Sequence, residues 1–216
     1  MVYIDDFPFH TKEDFNMALV HITPAQYIVS QWSGGTTTQV AIAPEGAVYA
    51  DRDFLWRISS ASVDLDESDF TALPDYHRWI STLKGGMTLS HEGGEKIVLA
   101  PYEVHQFDGG VDTHSWGRCT DFNLMLRKGK CQGVVRSLKL AAGETADVRF
   151  ESAHSDQFPA ADLLLFCGEG KAVVTLDGEQ VTLEGLHSAL VKNAIGVSVS
   201  VKAVEASSFM IAEVQI

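Results

Sequence analysis

The chain contains no His-x-His, no Cys-x-x-C and no Gly-x-Ser-x-Gly, and each absence closes a route to function. Without paired histidines, a shell of three imidazoles and a carboxylate does not assemble, because His91, His105 and His187 stand alone in sequence. No metal and no cofactor is therefore expected. The three cysteines, Cys119, Cys131 and Cys167, are an odd number without zinc-site spacing. They read as reduced, buried thiols rather than a disulfide framework. Basic residues are scarce: 16 Lys and Arg stand against 29 Asp and Glu, a net charge of -13. Binding to a nucleic-acid backbone, which needs a Lys/Arg patch, is excluded on that balance. No run approaches the roughly 20 apolar residues of a membrane span, and MVYIDDFPFH lacks the basic-then-apolar order of a signal peptide. The expectation is a cytoplasmic protein with no membrane partner, for which a homodimer stays open.

What is present is repetition. Gly86 to Leu99, GMTLSHEGGEKIVL, returns 84 positions later as Gly170 to Leu183, GKAVVTLDGEQVTL. Laid over each other without a gap, Gly86 meets Gly170, Gly94 meets Gly178, Glu95 meets Glu179 and Leu99 meets Leu183. Each copy reads as a β-hairpin, and Asp177-Gly178 supplies the positive-φ pair that a tight turn needs. A chain of 216 residues, 45% hydrophobic, has room for two such units. The fold expected is all-β, two small tandem barrels of the jelly-roll or cupin type. Residues 1–20 form an extension, 21–130 the first barrel and 131–216 a second that serves as scaffold.

In chain order, Thr11 caps a short helix predicted over Lys12 to Leu19. Gly34-Gly35 precedes a Thr/Val-rich strand and reads as a bulge; no lysine follows the glycines, so it is not a phosphate loop. From Phe54 to Val63, alternation sets Phe54, Trp56 and Ile58 against Leu55, Arg57, Ser59, Ala61 and Val63. Arg57 is the odd member of a small, apolar face and needs a partner, either a structural carboxylate or an anionic ligand. The strand from His77 alternates Arg78, Ile80 and Thr82 against Trp79, Ser81 and Leu83. Asp121 to Arg127 alternates most clearly, with Phe122, Leu124 and Leu126 on one face and Asp121, Asn123 and Met125 on the other. That second face either meets solvent or lines a cavity with Arg57 and Arg78.

The strings Trp32-Ser-Gly-Gly-Thr-Thr, Asp53-Phe-Leu-Trp-Arg-Ile-Ser, Leu73-Pro-Asp-Tyr-His-Arg and Asp121-Phe-Asn-Leu-Met together resemble the HutD/Ves family. The resemblance covers nearly the whole chain. It implies a bicupin associated with histidine utilisation, which binds a small carboxylate such as urocanate or formylglutamate in a regulatory role. Two departures stand out: His77 occupies a position usually acidic in the family, and extra residues precede the tryptophan string. The candidate ligand-binding set is Arg57, Arg78, Asp121, Asn123, His77 and Trp32, and no residue is assigned as catalytic. A metal-independent enzyme with His77 as acid or base, and an interaction or stress protein, are the alternatives.

Overall fold

The computed structural model describes residues 18–153 and 155–216. Their regular structure is strand, apart from the single 3-10 turns Pro24–Gln26 and Tyr49–Asp51. Among the described residues no helix is long and apolar enough to cross a membrane.

Two units repeat one topology. In the first, a larger sheet orders Trp56–Val63, Cys119–Arg127, Tyr76–Gly85 and Val104–Asp108. Its smaller sheet orders Glu67–Asp69, Thr113–Trp116, Met87–His91 and Lys96–Leu99. The second unit follows the same order: Gln132–Leu140, Ser207–Gln215, Ala161–Glu169 and Ser188–Lys192, then Thr145–Arg149, Ser198–Ala203, Lys171–Leu176 and Glu179–Glu184. Each unit is thus an eight-strand, two-sheet jelly roll of cupin type.

Three strands lie outside this scheme. Ile28–Trp32 and Gly35–Ala43 extend the first large sheet beyond Trp56–Val63. Ala18–Ile22 pairs with Ser188–Lys192 and so joins the sheet of the second unit. The predicted helix is corrected where it can be seen, because Ala18 and Leu19 are strand; Thr11 to Met17 lies outside the described residues. Leu19 is buried in the second core, and tertiary pairing outweighs local helix propensity there. Gly34-Gly35 does not form a bulge. Ser33-Gly34 turns the hairpin, and Gly35 lies where a Cβ would come within 1.8 Å of the Ser62 carbonyl oxygen.

The two hairpins occupy equivalent places, but the gapless match slips by one residue. Met87 and Leu89 point into the first core, while Ala172 and Val174 do so in the second, an offset of 85 rather than 84. The return strands keep the offset of 84, with Leu99 and Leu183 both buried. One extra residue in the first turn absorbs the difference; the second closes on Asp177 and Gly178, both at positive φ. The counterpart of Gly170 is accordingly Gly85. Both have positive φ, at 90° and 73°, and at both a Cβ would lie within 2.5 Å of a carbonyl oxygen.

The two large sheets pack against each other across the molecule. Trp56, Ile58, Phe122 and Leu124 meet Phe166, Met210 and Ala212, so the alternation read from the sequence places its apolar faces at the junction of the units. The opposite faces look into the jelly rolls. In the second unit that interior is one apolar cluster, with the buried Glu213 across from Leu163 on the same face. In the first it is divided between a cluster around Ile80, Met87 and Leu89 and another around Phe54, Tyr76 and Met125.

Candidate functional site

Between those clusters lies a cavity of about 280 Å³, lined by Arg57, Arg78, Asp121 and Asn123, with Trp32 among its other walls. Strand pairing assembles it. Met125 sits across from both Arg57 and Arg78, and Asn123 across from Ser59 and Ile80, so the central strand carries the two arginine strands on either side.

Arg57 is buried and partly satisfied. Its Nε donates to Gln39 Oε1 at 2.8 Å and its Nη1 to Ser59 Oγ at 3.1 Å, and its guanidinium lies 4.2 Å from the Tyr49 ring centre. Arg78 is less provided for. It lies 4.8 Å over Phe70 and 5.1 Å over Phe107, and its buried Nε has no hydrogen-bond partner among the described residues. Burial pulls its pKa down to about 10. Among the described residues neither arginine has a carboxylate oxygen within 4.0 Å.

Asp121 does not fill that gap. Its Oδ1 accepts the Ala61 backbone N–H at 2.6 Å, and burial raises its pKa to about 7 against the lowering effect of that bond and of both arginines. Asn123 Oδ1 is buried and has no partner among the described residues. The lining therefore offers strong donors in Arg57 and Arg78, an acceptor in Asn123, and in Asp121 a carboxyl able to play either part near neutral pH.

His77 does not line the cavity. It follows the parity opposite to Arg78, is exposed, and sits across from Asp108, which removes it as an acid or base for a bound molecule here. Sequence reasoning missed Tyr49, Arg52 and Gln39. Gln39 sits where its strand shifts register against Trp56–Val63, and Tyr49 and Arg52 lie in a connection whose path no periodicity reveals.

The histidines that looked isolated are not. His91 Nε2 and His105 Nε2 are 2.9 Å apart, and His91 Nδ1 is 2.9 Å from Thr113 Oγ1. Two imidazoles and a hydroxyl are short of a metal shell, and no cluster of three or more His, Cys, Asp or Glu able to hold a metal exists among the described residues.

The second unit acts as an internal control. Register equates Arg78, Asn123 and Asp121 with Leu163, Ile211 and Phe209, all of which are fully buried in an apolar core. The fold closes without charges at these positions.

Comparison with known proteins agrees with this reading of the architecture. The HutD family model matches residues 25–209. The chain belongs to the HutD family. Protein Ves of Cronobacter sakazakii is 31% identical over 115 residues, which cover 50% of this chain and 60% of that protein. A structure of HutD from Pseudomonas fluorescens, in a formate condition, covers 92% of this HutD-family chain and 100% of its own at 21% identity, with a TM-score of 0.68. A conserved protein of unknown function from Pseudomonas aeruginosa reaches a TM-score of 0.75 at 24% identity, covering 92% and 100% of the two chains. At those identities the likeness to both structures concerns the fold.

Proposed function

We propose that the cavity of the first unit binds a small carboxylate metabolite, and that the protein acts in the cytoplasm as a metabolite-responsive regulator rather than through chemistry of its own. The observation that carries this reading is the pair of buried guanidiniums, Arg57 and Arg78, facing one cavity with no carboxylate oxygen within 4.0 Å of either among the described residues. A buried charge without a counter-ion is unfavourable by several kcal/mol unless something outside the fold compensates it. A carboxylate matches the paired donors of a guanidinium, and Asn123 Oδ1 would accept an N–H from the same molecule. Family membership makes urocanate and formylglutamate the compounds to try first.

Isothermal titration of both compounds into the purified protein tests the reading. Saturable one-site binding supports it; no heat and no thermal stabilisation from either compound, or from simple carboxylates, ends it.

A second reading, a docking strand for a protein partner or for another copy, has its own observation. Ile28 and Val29, 66% and 60% exposed, lie on the edge strand Ile28–Trp32 of the first large sheet. Native mass spectrometry of the protein and of an Ile28→Lys variant tests it: an oligomer lost in the variant supports this reading, and monomers in both remove it for self-association.

A further inference from the structure

A third guanidinium reaches the same cavity. Arg52 lines it, lies 3.8 Å over the Tyr49 ring that Arg57 also approaches, and has a buried Nη1 without a partner among the described residues. Its placement is enforced. Arg52 is a non-glycine residue at φ 55°, a conformation that is strained for most side chains, and the Tyr76 hydroxyl holds it by donating to its carbonyl oxygen at 3.0 Å and to that of Phe54 at 3.0 Å.

The charges point the same way. Arg52, Arg57 and Arg78 share the lining with two acids, Asp69 and Asp121. Asp69 is engaged by His114, 2.7 Å away. Asp121 is engaged by the Ala61 amide and is readily neutral near pH 7. With both acids so engaged, one bound carboxylate leaves two of the three positive charges uncompensated and two leave one. The unsatisfied nitrogens, Arg78 Nε and Arg52 Nη1, belong to different elements, the strand Tyr76–Gly85 and the connection that follows Tyr49–Asp51.

We propose that the ligand is a small dicarboxylate, with one carboxylate held by Arg57 and Arg78 and the second by Arg52. This rests on the carboxylate reading above and deepens it. Arg52 is the residue that selects two anionic groups over one, while Arg57 and Arg78 serve any carboxylate.

The test uses matched pairs of plain compounds, propionate against malonate, butyrate against succinate and valerate against glutarate, titrated at one ionic strength into the native protein and into Arg52→Gln. For at least one chain length the dicarboxylate binds the native protein about tenfold more tightly than its partner, the expected effect of one added charge-assisted pair. In Arg52→Gln the two members of every pair bind with equal affinity, and Arg52→Lys, which preserves the charge, retains part of the preference. Equal affinity within every pair, or a preference that survives in Arg52→Gln, overturns the second subsite and leaves the carboxylate reading standing. Failure of every compound to bind the native protein overturns both. Melting curves without ligand establish that the variants are folded.

Discussion

Arg57 and Asp121 stand on neighbouring antiparallel strands of one sheet, line one cavity, and do not form an ion pair. Asp121 turns its Oδ1 to the Ala61 amide, and Arg57 turns its Nε and Nη1 to Gln39 and Ser59. The structural carboxylate that the sequence left open as Arg57's partner is therefore not Asp121.

Arg57→Met consequently strands no carboxylate. Gln39 Oε1 and Ser59 Oγ each lose a donor, which costs about 1–2 kcal/mol in total. Chemical denaturation should report a loss of that size, well below the 3–5 kcal/mol that follows removal of one member of a buried ion pair.

Glu213 provides that contrasting case within the same molecule. It is fully buried in the second unit; Arg136 donates to its Oε1, and the amides of Glu151 and Ser152 and the Ser152 hydroxyl donate to its Oε2. In Glu213→Gln the amide NH₂ must confront donors on one side or the other. We expect a loss of about 3 kcal/mol or more by denaturation, and no change in ligand affinity beyond what the lower stability explains.

Asp121 sets a pH dependence of definite sign. Its pKa is raised from an ordinary carboxyl value to about 7, so the native state holds a proton that the unfolded chain has already released. The stability this contributes is complete below about pH 4, falls as pH rises, and is lost once pH passes about 7. Melting temperature followed from pH 5 to pH 8.5 should fall more steeply in the native protein than in Asp121→Asn. Parallel slopes would show Asp121 to be ionised throughout.

The architecture was legible because period-two alternation survives wherever one strand face is buried. Phe122, Leu124 and Leu126 against Asp121, Asn123 and Met125 separated the two faces of the strand, which the structure places at the junction of the units and on the cavity wall, where the sequence had left the second face open between solvent and cavity. The duplication was visible in Gly94-Glu95 and Gly178-Glu179, yet its register was one residue out along the outgoing strand, because a turn insertion leaves glycine matches intact while reversing which side chains face inward. Arg52 and Tyr49 were not legible, since a connection has no period to read. His77 was misplaced for the opposite reason: adjacency to Arg78 in sequence means opposition across the sheet. The histidine pair escaped because its members come from two different sheets.

The central claim is that the cavity charges serve a ligand and not the fold, and Arg78→Leu tests it most directly, because it installs the residue that the second unit already carries at the equivalent position, Leu163. Calorimetric melting of the native protein and the variant, each with and without formylglutamate, gives both quantities at once. The account predicts that the variant melts at the same temperature or several degrees higher, by analogy with buried charges replaced by apolar groups, and that the stabilisation formylglutamate gives the native protein disappears. A variant that melts well below the native protein, with no ligand response in either, would contradict it.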